Sequence, residues 1–303
     1  MMPRVVDIAQ DGRYLAVHRG FLVVQFHGEE ITRIPLDDLT SIVVHAHGTT
    51  YSNNLLVQLA ERGISLVLCG ANYCPVAWLW PIEGHHVQGA RMEAQWAASK
   101  PLCKRIWQTL VKAKIEQQES TLVAAGKPDL GLKGLVTLVR SGDPDNIEAQ
   151  AARRYWTALF GSDFRRRQDG DGINAMLNYG YAILRSAVAR GVVAAGLHPT
   201  VGVHHRNRSN AMALVDDVME PFRPLIDWAV LRLSKDGVNE VNGESKKALV
   251  AVLSYDLQTI RGTTPVVTCI YDLAISIAQS FVDGEARLFL PLPGLPIERL
   301  AQG

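Results

Sequence analysis

The sequence predicts an α+β protein, with a small N-terminal β-rich domain followed by a larger all-α domain. Two features of the hydrophobic pattern support this prediction. As far as about Pro81, Val, Ile, Leu and Phe come in runs of about five residues, which is typical of short strands. Beyond that point apolar residues recur at intervals of three and four, as in amphipathic helices. A chain of 303 residues with 48% hydrophobic content can bury a core in each of two domains, which we place at 1–84 and 85–303.

Turn signals between the short apolar runs indicate antiparallel hairpins and a meander in the first domain. One segment, 52–62, departs from the pattern, because its leucines lie at helical spacing between a capping Ser52 and a stop at Gly63. It predicts a single inserted helix. The predicted strands cover residues 4–8, 14–18, 21–26, 30–35, 41–45, 64–69 and 76–80, with turns at 11–12, 19–20 and 28–29.

The second domain is predicted to consist of helices joined by loops rich in Gly and Pro. Its last apolar stretch contains Asp272, Ser276 and Gln279 and is too short to span a bilayer, so we interpret it as a core helix. The segment 161–172 is expected to be a loop, and its residues 170–172 are expected to be exposed and mobile. The predicted helices cover residues 88–125, 145–161, 173–195, 210–234, 244–256 and 265–282.

The cysteine content and the N-terminus favour a cytoplasmic protein. Four cysteines are too few and too scattered for a disulfide framework in a chain of this length. The first residues reach Asp7 and Asp11 before any apolar run develops, unlike a signal peptide.

The charge is distributed unevenly along the chain. Residues 100–167 carry 13 basic and 7 acidic side chains, whereas residues 1–95 carry 6 and 9. The basic side chains of the middle segment either contact the phosphate backbone of DNA or form a solvated helix face. They include Lys100, Lys104, Arg105, Lys112, Lys114 and the run Arg165, Arg166 and Arg167.

Asp217 and Glu220 lie three residues apart on a predicted helix, which places both carboxylates on one face. The loop before this helix supplies His204 and His205. Carboxylates near the packed side of a helix need a cation, and Mg²⁺ or Mn²⁺ accepts their oxygens, while Mn²⁺ also accepts an imidazole. The alternatives are a solvated face, or ion pairs with neighbouring arginines. Those arginines are Arg206, Arg208 and Arg223.

A third acidic residue, Glu148, lies among alanines near the start of another predicted helix. Small neighbours leave room for a close approach to its carboxylate. On local evidence Glu148 contributes to a catalytic site, pairs with Arg153 or Arg154, or stabilises the helix N-terminus through the dipole.

Three ordered motifs resemble the CRISPR-associated protein 1 family. They are I-E-A-x-A-A-R-R-Y-W at 147–156, N-x-x-x-N-Y-G-Y-A-I-L at 174–184, and P-x-x-G-V-H-H-R-N with L-V-D-D-V-M-E-P-F-R-P at 199–224. That family is the catalytic integrase of CRISPR spacer acquisition. The resemblance extends over nearly the whole chain, and the double histidine and the E-P-F-R-P ending are similar to the type II lineage.

The resemblance implies a metal site for Mg²⁺ or Mn²⁺ made by Glu148, His205 and Glu220, with Asp217 as an additional acid and His204 outside the site. Many family members have Asp where this chain has Glu220. The implied reaction is a transesterification, in which a DNA 3′-hydroxyl attacks a phosphodiester with the help of the bound ion.

The resemblance also implies partners. The β-rich domain would form a homodimer and the helical domain would be catalytic. A small ferredoxin-like subunit would bridge two dimers into a heterohexamer, and the type II effector nuclease is a further partner of that lineage. Protospacer and CRISPR repeat DNA would be bound, with Arg165, Arg166, Arg167, Arg206 and Arg208 as candidate contacts. No membrane is involved.

Three other functions remain open from the sequence. The same ion could activate water, which would make the protein a general metal-dependent endonuclease acting on branched or single-stranded DNA. The protein could also be a DNA-binding assembly subunit that does not turn over alone. A zinc site using Cys69, Cys74, His204 and His205 has poor ligand spacing.

Overall fold

The computed structural model describes residues 4–70, 75–79, 81–82, 85–205, 207 and 209–297. The chain forms two compact units, Met1–Gly84 and His85–Gly303. The first is rich in strands and the second is mostly helical, which confirms the predicted α+β class. The dimerisation and catalytic roles of the two units remain predictions.

The described residues of the first unit form two four-stranded sheets and one α-helix. The sheet orders are β1-β5-β7-β8 and β4-β3-β2-β6. Its strands are β1 (Arg4–Ile8), β2 (Arg13–His18), β3 (Phe21–Phe26), β4 (Glu29–Pro35), β5 (Leu39–Val44), β6 (Thr50–Tyr51), β7 (Ser65–Cys69) and β8 (Pro75–Leu79), and its helix is α1 (Asn53–Glu61).

The predicted meander exists only in part. Strands β2, β3 and β4 pair antiparallel, and Arg19 and Gly20 form the tight turn between β2 and β3 with φ of 49° and 81°. In contrast, β1, β5 and β7 run parallel, so the expectation of hairpins throughout is wrong. Parallel neighbours need a crossover, and here the β2–β4 ribbon and α1 provide the connecting chain. The Ser52 hydroxyl caps α1, as expected, by accepting from Leu55 N at 3.2 Å.

The second unit contains nine helices and one hairpin among its described residues. They are α2 (Gln88–Ala97), α3 (Lys100–Ala124), α4 (Leu132–Leu138), α5 (Ile147–Phe160), α6 (Ile173–Ala194), α7 (Ala213–Met219), α8 (Arg223–Lys235), α9 (Gly243–Ala251), β9 (Asp256–Thr259), β10 (Gly262–Pro265) and α10 (Val266–Asp283).

Capping residues and prolines explain where these helices differ from the prediction. The expected helix 88–125 is divided because Ser99 caps a new helix, accepting from Leu102 N at 3.4 Å. The expected helix 210–234 is interrupted by a 3-10 turn at Glu220–Phe222, where Pro221 lacks the N–H that would continue the helical pattern. Helix α4 forms where a loop was expected, and the β9–β10 hairpin shows that the second unit is not entirely helical.

Helix α6 lies at the centre of the second unit and contacts α7, α8, α9 and α10. Gly180 permits its close approach to α8, because a Cβ at this position would lie 2.4 Å from Ile226 Cγ2. The expectation that the last apolar stretch is too short to span a bilayer is wrong, because α10 has 18 residues and a mean hydropathy of 1.4. Half of it is nevertheless buried against neighbouring helices. This burial agrees with its interpretation as a core helix.

Candidate active site

Helix α5 places Glu148 in its first turn. Asp143 caps this turn, since its carboxylate accepts from Ile147 N at 2.8 Å and from Glu148 N at 3.0 Å. Asp143 and Asn146 both adopt left-handed backbone conformations, with φ of 48° and 52°. The tight turn before the helix therefore fixes the backbone of Glu148.

Asp217 on α7 anchors the histidine loop. Its fully buried carboxylate accepts backbone N–H bonds from Val203, His204 and His205 at 2.7, 3.0 and 3.2 Å. Its Oδ1 also lies 2.5 Å from His205 Nδ1, and this hydrogen bond raises the pKa of His205. Because Nδ1 is engaged, Nε2 is the ring nitrogen left for a ligand.

Gly202 allows this anchoring. A Cβ at Gly202 would lie 2.7 Å from the His205 carbonyl oxygen and 2.8 Å from Asp217 Oδ2. Both distances are shorter than real contacts, so a larger residue would move the loop off the carboxylate.

Glu220 lies in the 3-10 turn after α7, with 6% of its surface exposed. Arg223 Nε is 2.8 Å from its Oε1, and Lys114 Nζ is 2.5 Å from its Oε2. Burial alone would raise the pKa of Glu220, but the two cations outweigh burial and lower it to about 2. Glu220 is therefore ionised at neutral pH.

Lys114 connects the two glutamates. Its ammonium group, only 8% exposed on α3, forms ion pairs with both Glu148 and Glu220. The interpretation of Lys114 as part of a solvated helix face is therefore wrong. One signal was present in the sequence, because Lys114 follows Leu110 and Val111 at helical spacing and so falls on the apolar face of α3.

His205 lies within electrostatic range of the same pair, since the charge of Glu220 contributes to its raised pKa. The structure thus brings together Glu148, Glu220 and His205, with Asp217 behind the histidine. In the described part of the chain, no three His, Cys, Asp or Glu side chains form a ready metal-ligand cluster. The position between the two carboxylates is taken by the Lys114 ammonium.

The donor set nevertheless suits Mg²⁺ or Mn²⁺. Carboxylate oxygens and an imidazole nitrogen are ligands that Mn²⁺ accepts, and Mg²⁺ favours the carboxylates. Glu220 Oε2 is buried, and its ion pair with Lys114 shows that this position attracts a cation.

The second histidine of the loop lies beside His205, and Tyr181 lies under the Arg223 guanidinium. His204 stacks on Trp107, and burial lowers the pKa of His204. Tyr179 and Tyr181 on α6 are buried in the core, with 0% and 9% exposure.

The arginine run is anchored to α6 by two asparagines. Asn174 Oδ1 accepts from Arg167 N at 2.8 Å, and Asn178 Nδ2 donates to the Gln168 carbonyl at 2.8 Å. The Arg166 guanidinium donates to Asn178 at 2.7 Å and lies over the Tyr181 ring. The loop 161–172 is therefore tied to the helical unit, with Arg165 and Arg167 exposed.

Other predicted basic contacts are distributed as follows. Lys100, Lys104 and Arg105 are exposed on α3, and Lys112 is half-buried. Arg206 and Arg208 lie outside the described residues, as does Cys74 of the alternative zinc site.

Comparison with known proteins identifies the family. Residues 6–253 match the family model described as CRISPR associated protein Cas1. A CRISPR-associated endonuclease Cas1 from Neisseria meningitidis serogroup C (strain 8013) is 36% identical over 285 residues, covering 92% of this chain and 93% of the relative.

Solved structures share the fold. A casposase bound to integration product superimposes with a TM-score of 0.81 at 19% identity, covering 100% of this chain and 96% of that one. A chain of a Cas6-RT-Cas1–Cas2 complex superimposes with a TM-score of 0.76 at 18% identity, covering 97% of this chain and 36% of the larger one. The family match and the Neisseria relative confirm the resemblance of the three motifs, and the chain belongs to the CRISPR-associated protein Cas1 family.

Proposed function

We propose that this protein is the metal-dependent integrase of CRISPR adaptation, which joins 3′-hydroxyl ends of protospacer DNA to the CRISPR repeat. One observation carries the proposal: Glu148 and Glu220, from separate helical segments, converge on a single buried cation position beside His205. If the Glu148–Lys114–Glu220 cluster served only to stabilise the fold, it would not need a half-exposed histidine beside it whose Nδ1 is held by Asp217.

In this mechanism the protein residues hold the metal ion and orient its ligands, and the bonds that form and break belong to the DNA substrates. Glu148, His205 and Glu220 would hold Mg²⁺ or Mn²⁺, which when bound polarises a phosphate oxygen and stabilises added negative charge. Asp217 fixes the tautomer and orientation of His205, and Arg223 holds Glu220 ionised. The DNA 3′-oxygen forms the new phosphodiester bond, and the 3′-oxygen of the broken phosphodiester leaves.

Basic side chains around the site would bind the DNA backbone. Arg165 and Arg167 are exposed on an anchored loop, which favours them as phosphate contacts. Arg166 is engaged with Asn178 and contributes mainly by holding the loop. Arg206 and Arg208 remain candidates by sequence.

The partners are proposed from the relatives. The casposase structure contains an integration product, and the Cas6-RT-Cas1–Cas2 structure contains a Cas2 subunit. We extend both to this chain: protospacer and repeat DNA as substrates, and a small ferredoxin-like subunit that bridges two homodimers into a heterohexamer. Dimerisation through residues 1–84, recruitment of the type II effector nuclease and a cytoplasmic location belong to the same proposal.

A general endonuclease acting on branched or single-stranded DNA is the second candidate. The Neisseria relative carries the name endonuclease, and water could replace the 3′-hydroxyl as the nucleophile at the same site.

A strand-transfer assay distinguishes the two functions. A short duplex with free 3′-hydroxyl ends is incubated with a supercoiled plasmid carrying a CRISPR repeat, the small partner subunit and Mn²⁺ or Mg²⁺. Glu148→Ala, His205→Ala and Glu220→Ala should each abolish joining while DNA binding persists. The exposed Glu240→Ala is the matched control and should join normally. Cleavage without joining would instead establish the endonuclease.

A further inference from the structure

Trp107 and His204 form a stacked pair beside the candidate site. Their ring centroids are 4.1 Å apart and the planes differ by 5°. Trp107 is only 3% exposed, whereas His204 is exposed. Because the indole covers one face of the imidazole, the exposure of His204 comes from its other face and its edge.

The pair is held rigidly on both sides. Trp107 lies on α3 and also packs edge-on against His205, with centroids 5.7 Å apart. The backbone of His204 donates to Asp217 at 3.0 Å, and the preceding Val203 is buried and donates to the same carboxylate. An exposed flat ring is therefore fixed in place next to a candidate metal ligand.

A flat, supported ring is a suitable surface for a nucleobase. Every base has a π face, and stacking on protein rings strengthens single-strand binding by about 1–3 kcal/mol per base. His204 also lies within electrostatic range of Glu148. A phosphate at the candidate site would therefore carry its own base within reach of His204. Lys104, exposed one turn before Trp107 on α3, is placed to meet a neighbouring phosphate.

We propose that the exposed face of His204 stacks on one nucleobase next to the reacting phosphate, with Trp107 as its rigid support. This proposal rests on the proposed function, since it assumes DNA at the Glu148–Glu220 site. It gives His204 a substrate contact, where the family resemblance leaves it outside the site.

The test uses the full chain and a branched DNA that mimics the joined product, in EDTA so that no turnover occurs. 2-Aminopurine is placed at successive positions around the joint. We expect quenching at one position by the wild-type protein, loss of that quenching in His204→Ala and its retention in His204→Phe, which keeps a flat ring.

Affinity for DNA with an abasic site at that position completes the test. His204→Ala should bind intact DNA about 5-fold or more weakly than wild type, as expected for one lost stacking contact, and abasic DNA equally well. Equal loss on both DNAs, or no quenched position, would overturn the proposal. Normal metal-dependent joining alongside such a result would show that only the stacking role is wrong, whereas absent joining would count against the proposed function.

Discussion

The ammonium of Lys114 lies 2.5 Å from Oε2 of Glu220 and pairs at the same time with Glu148. One buried cation thus holds together two acids that are 72 residues apart in the sequence, 148 and 220. Burial opposes the charge on Lys114, but the two carboxylates outweigh it and raise the pKa of Lys114. The shared ammonium offsets the repulsion between the two carboxylates.

Replacing Lys114 should destabilise the protein and make its stability more dependent on metal. Lys114→Met leaves the buried Glu220 and the half-buried Glu148 without their shared cation, which costs about 3–5 kcal/mol of unfolding free energy. Added Mn²⁺ should recover more stability in this variant than in wild type, because the ion supplies the missing charge. Urea unfolding with and without Mn²⁺ measures both effects. Lys112→Met is the matched control on the same helix and should change stability little; equal behaviour of the two variants would refute the role of Lys114.

Asp217→Asn should separate a positioning role from direct metal binding. The amide can no longer accept three backbone N–H bonds and the His205 ring, so the orientation of His205 is lost. We expect joining and Mn²⁺ affinity to fall by about 10- to 100-fold, as for other groups that orient a metal-bound histidine. Asp216→Asn, which weakens the pair with Arg185 instead, is the control. Activity unchanged in the Asp217 variant would contradict the account.

Gly202→Ala should impair the site through the backbone. Its Cβ would meet the His205 carbonyl and the Asp217 carboxylate, and we expect a loss of about 1–3 kcal/mol in stability together with weaker joining. Gly134→Ala is a suitable comparison, because a Cβ at that helical position has no neighbour within 4 Å. Thermal unfolding and joining of the two variants should differ clearly, and equal results would show that the loop tolerates a side chain at 202.

Asp227 should make stability depend on pH. It is buried between the hydroxyls of Tyr155 and Tyr181, at 3.1 and 2.5 Å, and burial raises its pKa from 3.8 to about 7. Between these values the folded protein holds one proton more than the unfolded chain. The free energy of unfolding therefore falls as pH rises, by up to about 1.4 kcal/mol per pH unit, and this contribution levels off above pH 7.

Asp227→Asn removes this titration. Urea unfolding of both proteins at pH 5, 6, 7 and 8 should show a flatter dependence in the variant, with the difference between the two proteins growing from pH 7 to pH 5. Parallel curves would mean that Asp227 is ionised throughout this range.

Local patterns predicted the secondary structure well, because caps and periodicity act within a few residues. Ser52 identified the start of α1, and the strand at 21–26 was placed correctly. Strand partners were not predictable in the same way. The parallel pairing of β1 with β5 joins segments that are distant in the sequence. It therefore depends on tertiary packing, which the residue pattern within each strand does not reveal.

In the candidate site, too, sequence motifs predicted some residues, whereas those that depend on tertiary contacts were not predicted. Glu148, His205 and Glu220 came from motifs, and the structure brings them together. The burial of Lys114 and its two ion pairs were not predicted, because a lysine on a helix is usually solvated and only its tertiary neighbours reveal the pairing. The capping of Glu148 by Asp143 was also missed, since it depends on left-handed backbone at residues 143 and 146.

The central claim is that Glu148, His205 and Glu220 bind one divalent ion. It is tested most directly by a crystal structure of the protein with Mn²⁺, using anomalous scattering at the manganese edge. We predict one peak within about 2.5 Å of both carboxylates and His205 Nε2, with the Lys114 ammonium displaced from between the two glutamates. A peak held by only one glutamate, or one located away from His205, would contradict the account.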